Sequence, residues 1–232
     1  MLFVLNCVFY LVIIIAIFVI KFKTKYFLKF NCIMKQQNTL FLELNLLRGS
    51  DQYPSQEIKE RLVDLYLPGS VSDLAINLSN ITSQFYALQL QLIGQRHGVD
   101  QIRVHSEAFF YDLGRVKAQQ ALDKDPNMIR DCRSLILVAI SAIYTSSPEF
   151  KFQVKDYTPD YAVIELKGAD RYHRAAKLYK IDQYLSFPTL IAFMEGIKDY
   201  LGLNHIEIHV PQCSYDQHSN ITCTYIFKQN SL

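Results

Sequence analysis

Four side chains near the C-terminus, His209, Cys213, His218 and Cys223, lie within one short stretch and form the densest cluster of metal-ligating groups in the chain. Thiolate and imidazole are the groups a tetrahedral zinc site takes. Residues four apart on a strand share a face, so His209 and Cys213 point the same way if no bulge intervenes, and Cys223 returns on the partner strand. Zinc is one expectation from this cluster. Structural zinc sites use close C-x₂₋₄-C or H-x₃₋₅-H pairs, however, and only His209-x₃-Cys213 approaches that spacing. Two packed thiols with two surface histidines, or a redox-sensitive thiol pair, are the alternatives.

A second group is cationic. Asp170-Arg171-Tyr172-His173-Arg174, followed by Lys177 and Lys180, concentrates positive charge after a β-like run. Guanidinium forks match carboxylate and phosphate oxygens, so Arg171, His173 and Arg174 are candidates for holding a ligand's anionic group; the plainer reading is a solvated helix face. Gly196 joins them because it interrupts a helix of good formers at about 1 kcal/mol relative to Ala, a cost that close approach of a ligand or a neighbouring backbone would explain. His105, just before Phe109 and Phe110, reads as a solvated or capping residue near a helix start; an axial heme ligand, as in heme-binding domains, is the alternative. Glu165 and Glu195 are a candidate carboxylate pair, but no nucleophile elbow or Ser-His-Asp order accompanies them. With 8 glycines in 232 residues there is no P-loop or dinucleotide fingerprint.

The elements that must position these groups follow from periodicity. Ser55 opens a short amphipathic helix that Pro68-Gly69 ends. A longer helix from near Ser72 repeats Leu74, Leu78, Ile81, Phe85, Leu88 and Leu92 along one face, with Gly94 as its left-handed stop; that face packs on the domain or forms a homodimer seam. A helix over 106–122 places Phe109, Phe110, Leu113 and Val116 inward. Asp125-Pro126 then reads as the start of a helix carrying Ile129, Cys132, Ile136, Ile140 and Ile143. Phe150, Phe152 and Val154 alternate with polar residues, Thr158-Pro159-Asp160 turns the chain, and 161–166 is a second strand. Ser186 and Pro188 introduce a helix with Leu190, Ile191, Met194, Ile197 and Leu201 to Gly202, and strands at 205–210 and 221–227 finish the chain. Helices first, then strand, strand, helix, strand, strand, predict an α+β fold with helices packed on an antiparallel sheet.

Half the residues are apolar, enough for a core, and the net charge is +2. Lys21, Lys23, Lys25 and Lys29 supply that excess; the rest holds 20 cations against 22 anions. No basic surface, no nucleic-acid motif and no tryptophan point to nucleic acid. Residues 2–20 carry no charge and are long enough for a membrane-spanning hydrophobic helix, and the lysines after them place the following domain in the cytoplasm as a single-pass protein. The composition shifts abruptly at Met34. If Met34 is the true initiator, residues 1–33 are a mis-assigned start and the protein is cytoplasmic without an anchor. The expected layout is therefore 1–33 as a hydrophobic segment, 34–54 as a linker and 55–232 as the α+β domain. Five cysteines without a framework spacing fit a reducing compartment.

Phe110-Tyr111-Asp112-Leu113-Gly114, the two central strands, Phe193-Met194-Glu195-Gly196-Ile197 and the final Cys213 and Cys223 resemble the 4-vinyl reductase domain layout over about 106–228. Heme nitric-oxide-binding domains and small subunits of the TRAPP tethering complex are similar more loosely. The resemblance implies helices on an antiparallel sheet around an apolar pocket, serving as a sensor for a small apolar or amphipathic ligand or as an adaptor, with heme as one cofactor. His209-Val210-Pro211-Gln212-Cys213 departs from the family where an acidic residue usually precedes the first cysteine. A resemblance to the L-2-amino-thiazoline-4-carboxylate hydrolase family, with its helix-rich start and Cys-x-aromatic strand, implies the alternative of a small-molecule hydrolase using the Cys/His cluster.

Overall fold

The computed structural model describes residues 39–230, so the apolar run at 2–20 and the Met34 start lie outside the described residues. Among the described residues no helix is long and apolar enough to cross a membrane. The chain divides into two compact units, Met1–Val71 and Ser72–Leu232. In the first, α1 (Thr39–Glu43) and α2 (Asn45–Arg48) precede α3 (Gln56–Tyr66). Ser55 caps α3, its Oγ accepting from the Ile58 amide at 3.3 Å and so satisfying one orphan donor of the first turn.

The second unit begins within α4 (Val71–His97) and continues through α5 (Asp100–Lys124), α6 (Cys132–Ser146), β1 (Lys151–Tyr157), β2 (Tyr161–Ala169), α7 (Arg171–Leu178), α8 (Leu190–Leu201), β3 (Ile206–Tyr215) and β4 (Asn220–Gln229). The strands form one antiparallel sheet in the order β1-β2-β4-β3. This is the expected α+β class. The inner face of the two central strands, including Ile164, Leu166, Cys223, Tyr225 and Phe227, meets Leu135, Ile136 and Ala139 of α6 and Met194 and Ile197 of α8 in one core. Alternation of buried and accessible positions along β4 is what a sheet covered on one side requires.

The helices depart from the sequence reading in instructive ways. Gly94 does not stop α4; it is buried within the helix, where a Cβ would lie 2.6 Å from Ile102 Cδ1 of α5, and Gly98 with φ +101° ends the helix instead. The inner face of α4 is Ser79, Ser83, Ala87, Leu90 and Gly94, while Leu78, Ile81, Phe85, Leu88 and Leu92 are exposed. On α5 the buried row is Ile102, Ser106, Phe110, Gly114 and Ala118, and Phe109, Leu113 and Val116 of the expected inner face are exposed. Small residues at every fourth position let helices approach closely, so the buried row is not the one with the largest side chains. The chain from Asp125 onward is not yet helical: Asp125 caps the end of α5, and Asp131, accepting from the Arg133 amide at 2.9 Å, starts α6. Gly202, with φ +71°, ends α8 as its position suggested.

Helices α5 and α8 meet through glycine. A Cβ on Gly114 would overlap the carbonyl oxygen of Phe193, and one on Gly196 would overlap that of Tyr111. Gly196 is thus explained by helix-on-helix backbone contact. We expect Gly196→Ala and Gly114→Ala each to lower stability by about 3 kcal/mol, at the upper end of overpacking costs, in urea unfolding. Gly202→Ala, with open space but left-handed backbone, should cost only about 1 kcal/mol. An unchanged midpoint for Gly196→Ala would rule out the backbone contact.

Candidate functional site: clefts around Phe110

Phe110 is an inward residue of α5, and its ring stands edge-on to two tyrosines. The centroid distances are 5.5 Å to Tyr86 of α4 and 4.9 Å to Tyr172 of α7, and the tyrosines lie 5.1 Å from each other. Edge-to-face geometry of this kind sets positive ring edges against negative faces. The Tyr86 hydroxyl lies 2.6 Å from Ser106 Oγ, so a polar tip is satisfied within an apolar setting, and burial raises its pKa.

Two clefts flank this cluster. One, of about 450 Å³, lies between α5 and the segment Ser186–Thr189 with the first turns of α8; Phe110, Tyr111, Phe187, Pro188 and Ile191 give it apolar walls. The other, of about 420 Å³, runs between α4 and α5 and is walled by Phe85, Tyr86, Phe109, Phe110, Leu113 and Tyr172. Both fall in the size range of small-molecule sites. The first also carries polar groups, among them Ser106, Thr189 and Glu195.

The cationic segment from Asp170 is built into the protein. Asp170 caps α7 by accepting from the amides of Tyr172 and His173 at 2.9 and 3.1 Å, and it accepts the Tyr215 hydroxyl at 2.9 Å. Burial raises its pKa against these bonds. Arg171 is 3% exposed. Its Nη1 donates to Ser79 Oγ at 2.6 Å and Ser147 Oγ at 3.2 Å and pairs with Glu149 at 3.4 Å, and its Nη2 donates to Tyr172 Oη at 3.0 Å. Arg174 reaches Asn80 Oδ1 at 2.6 Å on the surface. His173 packs between Phe187 and Tyr215, at 4.7 and 4.2 Å between centroids, with Nδ1 buried and unpartnered. Burial lowers its pKa, and Lys177 adds to this, against the attraction of Asp170 and Asp182. Of the four ligand-binding candidates, Arg171 borders a void of about 30 Å³, and none lines the two larger clefts.

The terminal cluster is brought together only in half. Cys213 faces Cys223 directly across β3 and β4, and both are free thiols. A bulge between His209 and Gln212 shifts the register, so that His209 pairs with Ile226, an odd number of residues from Cys223, and turns to the opposite face. There it bonds Glu207 at 3.0 Å, while His218 sits in the β3–β4 turn beside Gln217. Among the described residues no three His, Cys, Asp or Glu side chains converge as a metal site requires. Burial pushes the Cys223 thiol up to about 12 and raises that of Cys213, leaving both protonated and weakly nucleophilic at neutral pH. Glu165 and Glu195 are not a pair: they bond Lys167 and Lys198. His105 stacks loosely near Phe109, 6.2 Å between centroids, and lines neither cleft. The α5–α8 cleft offers no His, Cys or Met to an iron and no cation to heme carboxylates; Tyr111 is the side chain in its lining of a type that ligates heme iron.

No family model and no curated protein matches the chain. Two solved chains align with it. One, from work on heme distortion in the H-NOX family, has a TM-score of 0.35 and 11% identity over 74% of this chain and 90% of its own. The other, from work on heme redox potential and protein-induced porphyrin distortion, has a TM-score of 0.34 and 10% identity over 73% and 94%. Superposition at this level carries no inference about what this chain binds.

Two outcomes separate a built-in role of the cationic segment from a ligand-binding one. Arg171→Met leaves Glu149 and Ser79 without their buried partner and should cost about 3 kcal/mol of stability, whereas Arg174→Ala should stay within about 0.5 kcal/mol. Equal, negligible losses would show that Arg171 is not a structural tie. His173 has a folded-state pKa below its unfolded value of about 6.5, so its contribution is present above that pH and is lost as pH falls through the folded pKa. Asp170, with a raised pKa, works oppositely, favouring the fold at low pH and losing that contribution as pH rises through its folded pKa. The urea midpoint of the native chain should therefore fall more steeply from pH 7 towards pH 5 than that of His173→Phe; parallel profiles would show that folding leaves the His173 pKa unshifted.

Proposed function

We propose that the Ser72–Leu232 unit is a non-enzymatic binding module for a small apolar or amphipathic molecule, seated in the cleft between α5 and the Ser186–Thr189 segment. The observation that carries this reading is an apolar-walled cleft of about 450 Å³ whose inner wall, Phe110, is itself a core residue. A ligand there touches a ring continuous with the core, which is the property a sensor needs. Joined to a membrane by the run at 2–20, the module would work at the cytoplasmic face. The hydrolase alternative gains no support, because the protonated Cys213 and Cys223 lie outside the lining of this cleft.

Ala108 lines the cleft from an exposed position on α5. Ala108→Trp therefore fills the space without disturbing the core. The neutral probe N-phenyl-1-naphthylamine should bind the whole chain with one-to-one stoichiometry and enhanced fluorescence. Binding should weaken at least about tenfold in Ala108→Trp, while the urea midpoint holds within about 0.5 kcal/mol. Undiminished binding in a folded variant would place the ligand elsewhere.

A further inference from the structure

The cleft between α5 and α8 has a marked charge. Glu107, Asp112 and Glu195 line it, and no Lys, Arg or His does. Lys198 bonds Glu195 at 2.5 Å and Arg115 pairs with Asp199, while Arg103, one turn before Glu107 on α5, does not line the cleft and forms no ion pair among the described residues. Arg115 also feels the charge of Asp112, without an ion pair between them. Glu107 and Asp112 thus face the cleft with no ion-pair partner among the described residues.

A second feature is independent of the carboxylates. Thr189 lines the same cleft at 5% exposure, and although it stands at the N-cap of α8 its hydroxyl makes no capping bond. Here it is free to accept from, or donate to, an occupant of the cleft. The first turn of α8 also borders the space, and a helix N-terminus contributes a partial positive charge of about half a unit, which favours anions. Two unpaired carboxylates outweigh it.

We propose that the cleft takes an organic cation, an amine carried on an apolar or aromatic body, with the body against Phe110, Phe187 and Ile191 and the ammonium directed to Glu107, Asp112 and the Thr189 hydroxyl. This rests on the cleft being the ligand site. An ammonium has donors for all three oxygens. A carboxylate-bearing ligand would meet two like charges and only the half-charge of α8 in return.

Three naphthalene probes of matched shape test the charge separately from the site: 2-naphthylmethylamine, 2-naphthylmethanol and 2-naphthoic acid, each titrated calorimetrically into the whole chain at neutral pH. The amine should bind roughly five- to tenfold more tightly than the alcohol, and the acid most weakly. High salt should narrow the amine's advantage. In Glu107→Gln/Asp112→Asn the amine-to-alcohol ratio should approach one. If amine and alcohol bind alike, or the acid binds most tightly, while Ala108→Trp still abolishes binding, the cation is wrong and the cleft remains the ligand site. If no probe binds, or Ala108→Trp changes nothing, the cleft reading fails and the cation falls with it.

Discussion

Two glycines, Gly114 on α5 and Gly196 on α8, hold their helices at backbone contact, and much of the second unit follows from that approach. With side chains at either position the axes would move apart. At the observed distance Phe193, Met194 and Ile197 reach the sheet on one side of α8, while its first turns and the preceding Ser186–Thr189 segment lie along α5. The cleft is the space left where the chain enters α8 after the close crossing has been made. Its shape is therefore set by packed backbone, and rigid support of this kind is what a binding site needs to hold its geometry.

A second set of constraints is polar. Arg171 joins α7 to Ser79 of α4 and to Ser147 and Glu149 beyond α6, and Asp170 joins the start of α7 to Tyr215 of β3. Groups buried this deeply destabilise the fold unless nearly all their donors and acceptors are met. They also make the arrangement specific, since a slipped α7 would strand the charge of Arg171. Tyr172, the next residue, can then stand against Phe110 and Tyr86. The aromatic wall of the clefts is in this way held by its polar neighbours.

The fold class was legible because strand alternation at 150–154 and 161–166, the turn at Thr158-Pro159-Asp160 and the terminal strands are local signals. Gly202 was legible for the same reason. Gly94 was misread because a glycine near a helix end looks the same whether it supplies a positive φ or makes room for Ile102, and only the neighbouring helix distinguishes the two. Large apolar residues suggested the inner faces of α4 and α5, but close helix contact selected Ser83, Ala87, Gly114 and Ala118. The bulge before Gln212 reversed the parity that would have joined His209 to the cysteines. The resemblance implied an apolar pocket, but its lining had no local signal: Glu107 and Thr189 are brought together by the α5–α8 crossing. Arg171 looked like a surface cation because nothing beside it in sequence announces Ser79.

The same bulge has a bearing on how this chain can meet others. β3 and β1 are the two edges of the sheet, and both have broken registers: β3 between His209 and Gln212, across Pro211, and β1 between Val154 and Asp156. Proline removes a backbone donor, and an interrupted ladder offers an approaching strand no continuous row of groups to pair with. Lys151 and Lys155 add charge along the β1 edge. Among the described residues, both edges of the sheet are thereby guarded against growth by strand addition.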